Sequence, residues 1–122
     1  DRVLVWSVKG RKMITENAGS VRVANSIIRQ LVAEAARKAE GVYKVHGYDK
    51  GSVDNKGRRA IQTQFTDDES YIEVHIVVDE GYNVINTAEN VQKAIAEELS
   101  TMLRIDTDQI HVVVTSIHYN FH

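Results

Sequence analysis

Residues 71–78 read Tyr71-Ile72-Glu73-Val74-His75-Ile76-Val77-Val78, and the fold turns on them. Alternation sends Ile72, Val74, Ile76 and Val78 to one side and Tyr71, Glu73, His75 and Val77 to the other, which is the two-residue period of a strand. The first side is wholly apolar and must be covered. A second stretch, Gln109 to Phe121, repeats the pattern: Ile110, Val112 and Val114 share one side, with His111, Val113 and Thr115 on the other.

Between these strands Ala88, Val91, Ile95, Leu99 and Met102 recur at helical spacing and mark one sticky face. Asn86 with Glu89 three residues later approximates a capping box, and Thr87 offers a second cap. A first helix is predicted over about residues 26–40, with Asn25 as its cap. Its stripe is Ile27, Ile28, Leu31, Val32, Ala35, Ala36 and Ala39. Arg37 and Lys38 suit its carbonyl end, and Gly41 its left-handed stop.

Farther out the signals shorten. Tyr43–Tyr48 predicts a short strand, Asp49–Gly57 an exposed loop, Arg59–Thr66 a strand with Ile61, Thr63 and Phe65 alternating, and Asp67-Asp68-Glu69 an acidic turn. At the N-terminus Val3–Val8 reads as a strand, Lys9–Lys12 as a basic turn and Ser20–Val23 as a four-residue strand. Two apolar helix stripes and two apolar strand faces are reconciled most simply by an α/β two-layer sandwich, a mixed sheet with two helices on one face. Ile28, Leu31, Val32, Ile72, Val74, Ile76, Val91, Ile95, Leu99, Val112 and Val114 belong to the expected core. Residues 1–18 are set apart as an N-terminal strand or arm, and residues 19–122 form the α/β domain.

The 122 residues amount to one domain, with 43% hydrophobic and 26% charged residues, a composition that fits neither disorder nor a membrane-spanning class. No run approaches the ~20 apolar residues of a membrane span. The sequence opens at Asp1 rather than methionine, compatible with processing. Cysteine is absent, which removes disulfides, thiol nucleophiles and thiolate metal sites. Fifteen Lys and Arg against 17 Asp and Glu give a net charge of -2, no overall bias toward nucleic acid.

Catalytic patterns are missing. There is no G-x-S-x-G elbow, no phosphate loop and no G-x-G-x-x-G. The acidic groups at Asp67–Glu69, at Asp79 and Glu80, and at Asp106 and Asp108 do not follow a calcium-loop spacing. The expectation is a protein that is not an enzyme and carries no cofactor. His46, His75 and His111 lie on three predicted strands, and imidazoles on strands about 4.8 Å apart could share a zinc. Separate surface histidines are the plainer reading, and no metal is assigned. Basic residues are scattered among Lys9, Arg11, Lys12, Lys56, Arg58 and Arg59, and no G-x-x-G loop joins two helices, so nucleic acid is not an expected partner.

One feature of the outward face is apolar. Val77 and Val113 stand in mid-strand among Tyr71, His75, His111 and Thr115, where a solvated sheet face is usually more polar. These six residues form a candidate interface, an apolar centre with a hydrogen-bonding rim, and the expected cover is a second copy or the N-terminal strand around Trp6.

The order of short motifs resembles the alkaline shock protein family, small bacterial proteins of the envelope stress response. The resemblance runs over about residues 19–119. It is carried by Gly19-Ser20-Val21-Arg22-Val23-Ala24, by Ala39-Glu40-Gly41-Val42 at the end of the first helix, by Val74 to Val84, by Val91-Gln92 and by Ile110-His111-Val112-Val113-Val114. Here Gly81 precedes Tyr82 and Asn83, and Ser100-Thr101-Met102-Leu103-Arg104 stands where the family has methionine-threonine-glycine. The resemblance implies a non-enzymatic cytoplasmic stress-response scaffold that self-associates, is not itself inserted in the membrane, and is held there through a membrane-anchored protein partner. A second resemblance, of Val45-His46, Val74 to Asp79 and Ile110-His111-Val112 to the cytoplasmic domain of cation diffusion facilitators, implies a metal-binding regulatory domain. Ala88-Glu89 stands where that domain opens its second helix with alanine-histidine. An RNA-binding module is the remaining alternative.

Overall fold

The computed structural model describes residues 4–8, 23–54, 60–66 and 69–120. Chain order is β1 (Leu4–Val8), α1 (Asn25–Lys38), β2 (Val42–Val45), β3 (Tyr48–Asp49), β4 (Ser52–Val53), β5 (Gln62–Phe65), β6 (Ser70–Asp79), α2 (Val84–Leu103) and β7 (Gln109–His118). The main sheet runs β1-β7-β6-β2, and β5 also pairs with β6.

β6 organises the sheet. Its ten residues pair in parallel with β7 along nearly their whole length, Tyr71 opposite Gln109 through Asp79 opposite His118. Its other edge is shared: β5 covers the first half, with Gln62 opposite Glu73, and β2 covers the second, with Val45 opposite Ile76. Both are antiparallel, as is β1 on the far edge of β7, where Leu4 faces Val114. A parallel neighbour cannot be reached by a tight turn, and α2 makes the return. At about 1.5 Å per residue its 20 residues span about 30 Å, close to the length of a ten-residue strand.

Both helices pack on one face, giving the expected α/β two-layer sandwich. Ile72, Val74, Ile76 and Val78 of β6 and Val112 of β7 are fully buried, as are Val32 of α1 and Val91, Ile95 and Leu99 of α2. Of the expected core only Leu31 is half-buried. Ile27, 51% exposed, and Met102, 59% exposed, depart from their stripes. Each lies in a terminal turn, where a helix has fewer neighbours.

Several boundaries differ from the sequence reading. Asn25 does not cap α1; Ala24 does, without a side-chain bond, and Asn25 is already helical. The helix ends at Lys38, and Ala39 is extended. Gly41 does adopt a left-handed φ of 96°, and a Cβ there would lie 2.5 Å from Thr87 Oγ1. α2 begins before Asn86: the Asn83 side chain accepts from the Asn86 N–H at 2.9 Å, and the Thr87 hydroxyl donates to the Asn83 carbonyl at 2.8 Å. The strand placed over Tyr43–Tyr48 is β2 plus the start of β3, and part of the predicted loop is the β3–β4 hairpin. Lys50 and Gly51, with φ of 51° and 83°, form its two-residue turn. β7 ends at His118, short of Phe121. Val23 is not in a strand, while residues 20–22, the basic turn at residues 9–12 and Asp67 and Asp68 fall outside the described residues.

Candidate functional site

The face away from the helices carries the six candidate residues. Val77 is 8% exposed and Val113 6%, yet neither belongs to the core cluster beneath the sheet. Tyr71, His75, His111 and Thr115 surround them, and all four are half-buried. β6 and β7 thus present a small apolar floor within a polar rim.

The rim is a set of built contacts. The Tyr71 hydroxyl donates to Glu73 Oε1 at 2.5 Å, and His75 Nε2 lies 2.9 Å from Glu73 Oε2. Both residues stand two positions from Glu73, so the strand pleat alone brings them to its carboxylate. These hydrogen bonds, the tyrosine's foremost, hold the Glu73 carboxyl below the usual range although burial opposes them. Burial, with the same bond, pushes the Tyr71 phenol up to about 12. The Tyr71 and His111 rings meet at a tilt of 40°, their centroids 4.8 Å apart.

A bulge makes the second contact. Ile76 pairs with Val114 but Val77 pairs with Ser116, so Thr115 has no partner across the ladder. Its hydroxyl donates to the Ile76 carbonyl at 3.1 Å and meets His46 Nε2 at 2.8 Å. The hydroxyl proton is committed to the carbonyl, so the imidazole is the donor to Thr115 and not a base toward it. Burial, then the Lys44 and His75 charges, lower the His46 pKa. Farther along β6, Tyr43 stacks on His118, centroids 3.6 Å apart, and His118 Nδ1 lies 3.2 Å from Asp79 Oδ1. His46–Thr115 and Tyr43–His118 therefore reach from the β2 side to β7 on either side of Val77.

His46, His75 and His111 do not gather around a common point. Their Nε2 atoms are directed to Thr115, Glu73 and Gln109, the last at 3.4 Å. Among the described residues no group of three or more His, Cys, Asp or Glu side chains is placed to hold a metal ion. No helix among them is long and apolar enough to cross a membrane. The sequence reading placed Glu73 on this face but left it out of the interface. Its position two residues from both Tyr71 and His75 was the signal.

The fold and this face define a small α/β domain whose sheet carries an apolar floor and polar rim on the side away from the helices. The chain belongs to the alkaline shock protein 23 family, which has a cell envelope-related function and whose profile matches residues 13–119. The family is non-enzymatic. No curated protein matches the sequence. Among solved structures the chain is similar to MamM-CTD, with 19% identity and a TM-score of 0.50 over 80% of this chain and 100% of that one. It is also similar to the copper form of MamM CTD, with 18% identity and a TM-score of 0.50 over 78% of this chain and 94% of that one. At this identity the likeness is one of fold.

Proposed function

We propose that the protein is a cytoplasmic scaffold of the envelope stress response, acting by self-association and by binding a membrane-anchored protein. The observation that carries the reading is the outward face of β6 and β7. Its valine floor lies outside the core, and its hydrogen-bonding rim is held in place by Glu73 and the Thr115 bulge. A symmetric contact would set this face against its own copy, with Tyr71, His75, His111 and Thr115 at the rim and Val77 and Val113 at the centre. Sedimentation across a concentration range tests it. The full chain should associate as concentration rises, and His111→Lys should weaken association with no change in melting temperature. Val113→Lys should abolish it, and its melting curve shows whether the monomer stays folded. Wild type and His111→Lys sedimenting alike as monomers at high concentration would sink the reading.

A further inference from the structure

A second surface lies at the β2 edge of the sheet. Beside β2 an open groove of about 580 Å³ is bounded by the end of α1, by β2 and by the β3–β4 hairpin. Three cations from these three elements line it: Arg37, Lys44 and Lys50. None has a carboxylate partner among the described residues, and Arg37 reaches only the Val42 carbonyl, at 3.4 Å. Tyr43 and Tyr48 add aromatic surface, and Asp49 is the one carboxylate among the described lining residues.

The hairpin is held in position. Gln30 of α1 donates to the Gly51 carbonyl at 2.7 Å and accepts from the Val53 N–H at 3.1 Å, clamping both sides of the turn. Lys50 itself is at odds with its backbone. It occupies the first turn position with a φ of 51°, where asparagine or glycine is the economical residue. A lysine kept in a strained position, lining one groove with two other unpaired cations, points from strain to a binding role.

From this arrangement we infer that the groove binds an acidic, partly apolar peptide segment of a partner protein. Carboxylates would meet the three cations, and apolar side chains would lie on the two tyrosines. A long nucleic acid fits less well, because the whole chain carries a net charge of -2 and a polyanion would continue onto that surface. Free phosphate also fits less well: a groove of about 580 Å³ is far larger than one phosphate, which would leave Tyr43 and Tyr48 uncovered. This inference names a partner chemistry at a surface other than the proposed self-association face, and it stands or falls separately.

The probe is a fluorescein-labelled hexapeptide of four glutamates and two leucines, followed by fluorescence anisotropy with the full chain. It should bind, weaken as salt is raised, and outcompete its lysine counterpart by at least about tenfold. Lys44→Glu should weaken binding about tenfold at an unchanged melting temperature. Lys50→Asn is the sharper variant, because it relieves the turn: it should melt at the same or a higher temperature while binding more weakly. Failure of the acidic peptide to bind at low salt would overturn the inference. So would Lys50→Asn binding as wild type does, or the lysine peptide binding equally well. Tighter binding of a single-stranded oligonucleotide of equal charge, or displacement of the peptide by inorganic phosphate at equal charge concentration, would also overturn it.

Discussion

Tyr71 and Gly41 show what single residues decide. The Tyr71 phenol is raised to about 12, by burial first and then by its bond to Glu73. A group whose folded pKa exceeds its unfolded value contributes stability below the unfolded value, about 10, and that contribution is lost as pH rises toward 12. Thermal melts of wild type and Tyr71→Phe should therefore converge over that alkaline window, and parallel curves would remove the role given to Tyr71. Glu73 has the opposite sign. Its depressed carboxyl contributes above the unfolded value, and the contribution fades as pH falls through the lower folded one. His46 is also depressed, by burial first, so protonation costs stability as pH falls below the unfolded value of 6.5, although the imidazolium still donates to Thr115. Gly41 acts through space rather than charge. Its φ is 96°, and the Cβ of an alanine there would stand 2.5 Å from Thr87 Oγ1, which leaves that side chain no room. Gly41→Ala should cost roughly 1 to 3 kcal/mol in a denaturant titration, against less than about 1 kcal/mol at an unconstrained glycine. The Ala39-Glu40-Gly41-Val42 motif thus has a physical reason, the close passage of the chain against the first turn of α2.

At the scale of elements, the start of α2 separates two asparagines that look alike in sequence. Asn83 accepts the Asn86 N–H and is the cap; Asn86 is inside the first turn. Asn83→Ala should cost about 0.5 to 2 kcal/mol, and Asn86→Ala a few tenths. Equal losses in chemical denaturation would reverse the assignment. The helix was legible from Ala88, Val91, Ile95 and Leu99, but its start was not. Local capping chemistry offers Asn83, Asn86 and Thr87 equally, and packing makes the choice. Gln92 shows the same limit: it is 5% exposed and donates to the Ile110 carbonyl at 3.0 Å, a tie from α2 to β7 that no periodicity announces. The β3–β4 hairpin was hidden for a different reason. Its strands are two residues each, too short for alternation to register, and its turn uses Lys50-Gly51 in place of a standard turn pair.

At the scale of the whole molecule, stability rests on one layer of side chains between the sheet and two helices. Ile95 is fully buried in that layer and Met102 is 59% exposed, although both fall on the same apolar stripe. Ile95→Ala should cost about 2 to 5 kcal/mol and Met102→Ala no more than about 0.5 kcal/mol. Comparable losses for the two would contradict the packing. The outward face divides along similar lines. Its membership was readable, because alternation assigns Tyr71, Glu73, His75 and Val77 to one side of β6 without knowledge of neighbours. What those residues do to one another was not, because Thr115 reaches His46 only across a bulge and an intervening strand.

By itself the sequence determined the two long strands, the two helices and the side of each that must be covered, since these follow from periods of two and 3.6 residues along a short window. It also determined the two-layer arrangement, because four apolar faces have one economical solution. Strand order, the parallel pairing of β6 with β7 and the division of one β6 edge between β2 and β5 belong to the tertiary structure. So do the separate engagements of the three histidines and the meeting of Arg37, Lys44 and Lys50 at one groove. Each depends on contacts between residues far apart in the chain, and local periodicity carries no record of which distant segment becomes a neighbour.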